Sequence, residues 1–272
     1  MTLDARHHVT VRGNGPVTLV FAHGFGCDQS MWRFVAPHYG EGFRTLCYDL
    51  LGSGRSDLSA YAPERYDSLQ AHARDLVDIV RAHADRPVVF VGHSVGAMIG
   101  LLAGIEAPEL FSAQVWVGPS PCYVNDGDYV GGFSRADIDS LLETLEGNYL
   151  GWSSSMAPAI MGAPDRPQLG EELTNSFCRT DPEIASHFAR VTFLSDNRQD
   201  VPKLQVPTLI LQCSDDLIAP VAVGEFLHRT LPRGTLRIID NVGHCPHMSA
   251  PCESIEAIDE FLESLGLVRV PA

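Results

Sequence analysis

The sequence lacks long apolar runs, and it has few basic side chains. No stretch approaches the roughly 18–20 apolar residues that cross a bilayer. Lys and Arg number 19 against 34 Asp and Glu, so the formal net charge is −15 at pH 7. An acidic surface repels phosphate backbones and anionic lipids. The composition therefore argues against nucleic-acid binding and against membrane docking.

The sequence also lacks a paired-cysteine pattern and an export signal. Its seven cysteines are scattered and odd in number, which favours reduced thiols over a disulfide framework. Residues 1–12 contain no long apolar stretch after a basic start, so we expect no signal peptide and a cytoplasmic location. Cys245 follows His244 and His247 is close behind, but no second Cys/His pair has metal-ligand spacing. We therefore expect neither a metal nor a cofactor.

Short apolar runs alternate with helical patterns over much of the chain. The runs are typical of central strands in a sheet that is covered on both faces. Strands are predicted at 17–22, 45–48, 88–91, 115–117, 207–212 and 236–239. Helices are predicted at 68–84, 95–106 and 252–265. This alternation predicts an α/β fold with a mostly parallel sheet and helices on both faces.

One segment interrupts the alternation. Residues 134–197 contain no strand-like run and four helix-like stretches, with breaks at Gly147, near 162–167 and at Asp181. We therefore predict one α/β core formed by residues 1–133 and 198–272, with residues 134–197 as a four-helix lid inserted between its two parts. A chain of 272 residues is long enough for one such core.

The chemical signal is the sequence Gly92-His93-Ser94-Val95-Gly96, a G-x-S-x-G motif. In this motif the serine lies on a tight turn between a strand and a helix, and small residues on either side leave room for the turn. A chance match in a loop would lack that context. Here a predicted strand precedes the motif and a predicted helix follows it, which favours Ser94 as a nucleophile.

A serine nucleophile needs a base and an orienting acid, which follow it in the order Ser, Asp or Glu, His. His244 follows the last predicted strand and is the candidate base. The strand before that runs into Asp215 and Asp216. The acid is ambiguous between them; we favour Asp216, four residues before Pro220, and interpret Asp215 as a turn residue with a solvated or capping carboxylate.

The negative charge that develops on a substrate carbonyl needs two backbone N–H donors. In this arrangement one donor is the residue after the nucleophile, Val95, and the other lies in a loop after an early strand. His23-Gly24-Phe25-Gly26 is that loop, and Phe25 is the candidate donor. We interpret His23 as structural.

With these motifs the sequence resembles the RsbQ-type regulators of the bacterial stress response and their plant relatives, the karrikin and strigolactone receptors. The resemblance covers nearly the whole chain. It is carried by residues 23–26, 28–30 and 32, by 91–95 and 97–100, by 119–121, 123–126, 129 and 131–133, and by 195, 196 and 198.

The resemblance implies an α/β-hydrolase fold in which a Ser-Asp-His triad lies under a four-helix lid and beside a deep apolar pocket. Carried over by position, the triad is Ser94, Asp216 and His244, with Phe25 and Val95 as oxyanion donors. The implied pocket walls are Phe25, Val95, Phe133, Met156, Phe193 and Ile218, although ordinary core packing would explain each of them equally well. Met156 replaces an aromatic residue expected in the plant receptors, which indicates a more adaptable pocket.

Two functions fit these residues. One, which the resemblance implies, is a slow serine hydrolase of a small apolar ester or lactone that acts as a signalling regulator, with a regulatory protein such as a PAS-domain phosphatase as its partner. The other is a metabolic carboxylesterase with no protein partner. Both need the same triad, so the residues alone do not separate them.

Overall fold

A computed structural model describes residues 2–83 and 87–267 of the chain. Within these ranges seven strands form one sheet in the order β1-β3-β2-β4-β5-β6-β7. Only the pairing of β1 with β3 is antiparallel among these described strands. The strands are β1 Thr10–Gly13, β2 Thr18–Ala22, β3 Arg44–Tyr48, β4 Val88–His93, β5 Phe111–Val117, β6 Thr208–Asp215 and β7 Gly234–Val242. The predicted mostly parallel sheet is therefore confirmed.

Ten α-helices lie in the same described ranges. They are α1 Leu3–His7, α2 Leu69–His83, α3 Val95–Glu106, α4 Arg135–Gly147, α5 Tyr149–Met161, α6 Pro167–Arg179, α7 Pro182–Phe193, α8 Val221–Thr230, α9 Pro246–Ser249 and α10 Pro251–Ser264. Short 3-10 helices cover Gln29–Trp32, Ala36–Tyr39, Leu58–Ala60, Pro108–Leu110 and Val201–Lys203.

Alternate residues of the central strands pack on opposite faces of the sheet, because successive side chains of a strand point in opposite directions. Val20 of β2 and Phe90 of β4 belong to the hydrophobic cluster that includes residues of α2 and α3. Leu19 and Phe21 of β2 belong to a second cluster, which includes residues of α10. Helices therefore cover both faces, as the apolar strands require.

The predicted elements differ from the structure mainly at their ends. Strand β1 was not predicted, because three of its four residues are exposed and it has no apolar run. Strand β7 extends beyond the predicted 236–239 at both ends, since its exposed polar residues hide the pattern. The predicted helix 68–84 corresponds to α2, and its predicted last residue, Ala84, lies outside the described residues.

Helices α4 to α7, which we call the lid helices, follow β5 and precede β6. Their ends have local causes. Ser134 caps α4 in a reciprocal capping box with Asp137. Asp181 caps α7 through the backbone N–H groups of Glu183 and Ile184. Gly162 ends α5 with a φ of 64°, in the left-handed region. The division into a core of 1–133 and 198–272 and a lid of 134–197 stays a prediction.

The helices in the described ranges are all shorter than the roughly 20 residues that a transmembrane helix needs. The longest of them, α2, has 15 residues, and none in the described ranges is both long and apolar enough to span a membrane.

Candidate active site

Ser94 lies on the turn between β4 and α3. Its backbone has φ 54° and ψ −122°, a conformation that non-glycine residues rarely adopt. The turn is held because the Ser94 N–H donates to the Val117 carbonyl at 2.8 Å. A Cβ on Gly96 would lie 2.7 Å from the His23 carbonyl oxygen, so only glycine fits there. This packing holds a strained serine at the carboxyl end of the central strand.

The structure brings Ser94, His244 and Asp216 together in a line of hydrogen bonds. His244 Nε2 lies 2.9 Å from Ser94 Oγ, and His244 Nδ1 lies 2.8 Å from Asp216 Oδ2. All three residues are buried. Because a carboxylate only accepts, Nδ1 carries the proton and Nε2 is free to accept from the serine hydroxyl. This is the arrangement that a base needs in order to remove the hydroxyl proton.

The geometry separates the two candidate acids. Asp216 Oδ1 accepts from the backbone N–H groups of Ile218 at 2.8 Å and Ala219 at 3.1 Å, which aims Oδ2 at His244. Asp215 is the exposed last residue of β6, so it ends a strand rather than lying in a turn. Its carbonyl accepts from the Gly243 N–H at 2.7 Å. The side chain beside the histidine is thus that of Asp216.

The loop that carries His244 is also held by a lid helix and by His93. The His244 N–H donates to the Ile160 carbonyl of α5 at 2.8 Å. His93 Nε2 lies 2.9 Å from the His244 carbonyl, so the ring must donate there. Burial lowers the pKa of His93 well below its ordinary value, which keeps its ring neutral. Sequence reasoning assigned His93 no role, because its contact is made far along the chain.

The two candidate oxyanion donors flank Ser94. Val95 is the first residue of α3, so its N–H has no acceptor within the helix. On the other side, a Cβ on Gly24 would lie 3.2 Å from Ser94 Cβ, which places the Phe25 loop directly beside the nucleophile. His23 Nε2 accepts from the Leu50 N–H at 3.0 Å, and its Nδ1 contacts the Gly24 carbonyl at 2.8 Å. His23 therefore holds the loop in place from the core.

A small cavity lies over Ser94, between the core and the lid helices. Its volume is about 30 Å³. The lining residues are Phe25, Cys27, His93, Ser94, Tyr123, Trp152, Ile160, Leu173, Phe177, Thr192, Phe193, Ile218, His244 and Cys245. The Phe25 ring makes edge contacts with Trp152 at 6.2 Å and with Phe193 at 5.9 Å between centroids. The predicted wall residues Phe25, Phe193 and Ile218 are among them.

Three predicted wall residues do not line this cavity: Val95, Phe133 and Met156. Val95 is buried in the hydrophobic cluster that includes residues of α2 and α3. Phe133 is half-buried, and its N–H donates to the carbonyl of Tyr123, which is the residue that reaches the cavity. Met156 is also half-buried; Trp152, one turn earlier on α5, occupies the wall against Phe25. Tyr123 and Trp152 were missed because their positions depend on tertiary packing.

The cavity is apolar but contains several groups whose ionisation is shifted by burial. Burial raises the pKa of the Tyr123 phenol to about 12, against an opposing hydrogen bond with the Ser94 side chain. Burial also raises the pKa values of the Cys27 and Cys245 thiols. The two thiols and the phenol are therefore neutral at pH 7, which suits the binding of an uncharged ligand.

A larger groove of about 560 Å³ lies between α5 and α6. Ser94 and His244 line the smaller cavity and not this groove, so the smaller cavity is the candidate site. Throughout residues 2–83 and 87–267, no group of three or more His, Cys, Asp or Glu side chains is placed to hold a metal ion.

Comparison with known proteins identifies the class to which this fold and site belong. Residues 19–257 match the model of the alpha/beta hydrolase family. The chain therefore belongs to the α/β-hydrolase family, and the predicted fold is confirmed.

Individual relatives show which members of this family the chain is similar to. The chain is 37% identical over 250 residues to Karrikin insensitive 2 receptor CA of Petunia hybrida, covering 92% of this chain and 93% of the relative. It is 36% identical over 247 residues to Strigolactone esterase D14 of Arabidopsis thaliana, covering 90% and 92%. A solved structure of olei00960, a hydrolase from Oleispira antarctica, superposes with a TM-score of 0.93 at 37% identity and covers 96% of each chain. The resemblance to karrikin and strigolactone receptors is confirmed, whereas the resemblance to RsbQ stays a prediction.

Proposed function

We propose that this protein is a serine hydrolase that cleaves a small, mostly apolar ester or lactone. The observation that carries the proposal is the hydrogen-bonded line from Ser94 Oγ through His244 to Asp216, at 2.9 and 2.8 Å, directly under an aromatic cavity. Esterases and hydrolases among its relatives support the reaction type.

The proposed reaction has two halves. Ser94 Oγ attacks the ester carbonyl while its proton passes to His244 Nε2, and the imidazolium then protonates the leaving alkoxide. Asp216 stabilises the imidazolium, and the backbone N–H groups of Phe25 and Val95 stabilise the oxyanion. Water, activated by His244, then attacks the acyl group on Ser94 and releases the acid.

The size of the cavity adds a constraint on the substrate. About 30 Å³ holds little more than water, whereas ligand pockets usually measure roughly 300–1,000 Å³. An ester must therefore displace aromatic side chains such as Trp152 and Phe193, which lie on lid helices α5 and α7. Substrate entry and product release are accordingly coupled to movement of the lid helices.

We further propose that the protein is a signalling regulator. Two of its relatives are named as a receptor and as a strigolactone esterase, and both extend over most of the chain. A ligand that moves the lid helices changes the outer surface, and a partner that prefers one surface would detect the ligand. A regulatory protein such as a PAS-domain phosphatase is the proposed partner. The competing function is a metabolic carboxylesterase without a partner.

The reaction is tested by Ser94→Ala, with Ser120→Ala as the matched control. Ser120 is a buried serine whose hydroxyl donates to the Cys122 carbonyl at 3.0 Å, whereas the serine that His244 Nε2 contacts is Ser94. We expect Ser94→Ala to lower hydrolysis of p-nitrophenyl acetate by about 10⁴-fold or more and to abolish labelling by a fluorophosphonate. Ser120→Ala should retain both. Activity of Ser94→Ala within tenfold of the wild type would exclude the proposed reaction.

A further inference from the structure

Lid helix α6 is attached to the loop that follows β2. Ser176 of α6 is 3% exposed, and its hydroxyl donates to the Gly26 carbonyl at 2.9 Å. Arg179, one turn later, forms an ion pair with Asp28 at 3.1 Å. Glu172, one turn earlier, forms an ion pair with Arg33. Three successive turns of one lid helix thus contact the segment from Gly26 to Arg33 that follows β2.

The loop between β2 and the 3-10 helix Gln29–Trp32 contains Phe25. Its Gly24–Phe25 peptide and its Gly26–Cys27 peptide are held by different parts of the molecule. The Gly24 carbonyl accepts from the Cys27 N–H of the same loop at 3.3 Å, and Nδ1 of the buried His23 contacts it from the core at 2.8 Å. The Gly26 carbonyl is held by Ser176, so the lid holds it. Gly26 has φ 68°, and a Cβ there would collide with the Phe177 ring of α6.

The direction of the Phe25 N–H depends on both peptides, because the Gly26–Cys27 peptide that Ser176 holds donates through its N–H to the Gly24 carbonyl, which is in the same peptide as the Phe25 N–H. In the described part of the chain, no acceptor lies on this N–H, which leaves it free for a ligand oxygen. An oxyanion donor helps only if it is already aimed at the oxygen before charge develops. Losing one of the two anchors would let the loop rotate and would weaken that aim.

We propose that Ser176 is a positioning residue of the oxyanion hole, acting through the Gly26 carbonyl. Lid helix α6 then does more than cover the cavity, since its position determines how well the Phe25 N–H stabilises the transition state. This inference rests on the proposed serine-hydrolase function. Substitution of Ser176 should therefore weaken stabilisation of the transition state and leave substrate binding unchanged. The reason is that the neutral carbonyl of the bound substrate gains less from the N–H donor than the oxyanion does.

The test compares Ser176→Ala with Ser153→Ala. Ser153 is a fully buried serine of lid helix α5, and its hydroxyl donates to the Tyr149 carbonyl of its own helix at 2.7 Å. We expect Ser176→Ala to lower kcat for p-nitrophenyl acetate by about 10- to 100-fold, less than the loss of a direct donor, with KM changed less than about threefold. Ser153→Ala should keep both kcat and KM within about threefold of the wild type. Ser176→Thr, which keeps the hydroxyl, should recover most of kcat.

A second readout separates positioning from a general loss of structure. A phenylboronic acid forms a tetrahedral adduct on the serine and places an oxygen in the oxyanion hole, whereas benzyl alcohol occupies only the apolar cavity. Ser176→Ala should weaken inhibition by the boronic acid by about the same factor as kcat and leave inhibition by the alcohol unchanged.

The outcomes distinguish this inference from the proposed function. If the wild type and Ser153→Ala hydrolyse the ester and Ser176→Ala matches them, or if Ser176→Ala weakens both inhibitors equally, Ser176 is not a positioning residue although the hydrolase function stands. If the wild type and Ser94→Ala do not differ, the proposed function fails and this inference fails with it. If Ser176→Ala does not fold, Ser176→Cys, which keeps a weak donor, provides the intermediate kcat that the inference requires.

Discussion

At the scale of single residues, Asp216 and Asp215 are neighbours in the chain with different surroundings. Asp216 is buried, accepts two backbone hydrogen bonds on one oxygen and presents the other to His244. Asp215 is exposed at the end of β6. A one-residue difference therefore separates a carboxylate that contacts His244 from an exposed one.

We expect Asp216→Asn to lower kcat for p-nitrophenyl acetate by roughly 10⁴-fold, because an amide favours the wrong tautomer of the histidine. Asp215→Asn, the matched control, should change kcat by less than about tenfold. Saturation kinetics of the two variants measure the difference. A larger loss for Asp215→Asn would mean that the acid is assigned one residue too late.

At the scale of elements, the lid helices bring aromatic side chains from separate turns over the nucleophile. Phe193, the last residue of α7, contacts Phe25 and packs against Tyr123 with ring centroids 5.0 Å apart. Phe133 precedes α4 and does not line the cavity. The resemblance implies that both phenylalanines are pocket walls, but of the two only Phe193 lines the cavity.

Phe193→Ala should weaken the binding of a small apolar alcohol by about 1–3 kcal/mol, since the ligand loses apolar contact area. Phe133→Ala should leave that affinity within about 0.5 kcal/mol, while lowering stability through its own lost packing. Isothermal titration with both variants checks this. Equal losses of affinity would place the ligand outside the cavity described above.

At the scale of the whole molecule, the lid helices contribute much of the wall of the cavity over Ser94, which measures about 30 Å³. Under the proposed function, each turnover therefore includes movement of the lid helices. We expect kcat below about 1 s⁻¹ on the natural ester, against an enzyme median near 10 s⁻¹. Saturation kinetics over an ester and lactone panel measure it. Turnover of tens per second, with no regulatory protein bound by wild type or Ser94→Ala, would favour the metabolic carboxylesterase.

The core also contains histidines that should make the fold sensitive to acid. Burial lowers the pKa values of His72 and His247 to about 3, from an ordinary 6.5. The unfolded chain binds these protons as the pH falls below 6.5, whereas the folded chain does not until about pH 3, so stability is complete above pH 6.5 and declines towards pH 3. Each histidine should lower the free energy of unfolding by about 2 kcal/mol between pH 7.5 and 5.

Urea unfolding at pH 7.5 and 5 tests this expectation in the wild type and in His72→Phe. The phenylalanine variant should lose less stability on acidification. His228→Gln, which changes an exposed histidine, should behave like the wild type. If His72→Phe loses as much stability as the wild type, residue 72 does not contribute to the acid sensitivity.

Features that depend on near neighbours in the chain explain which parts of the structure could be predicted. The apolar strands and the G-x-S-x-G turn depend on near neighbours in the chain, and chain order placed His244 after the last strand. The sequence alone thus identified the sheet, the turn that carries Ser94 and the loop that carries His244. It missed β1 because an exposed edge strand buries too little to leave an apolar pattern.

The tertiary structure alone decided the remaining features. Whether Asp215 or Asp216 faces His244 depends on a bond across 28 residues, and the bond between Ser176 and Gly26 spans 150 residues. Phe133 and Met156 look as suitable for a cavity wall as Trp152 and Tyr123 do, because all are apolar or aromatic. Which side chains reach the cavity is determined by how the lid helices pack on the core, and no local pattern in the chain records that packing.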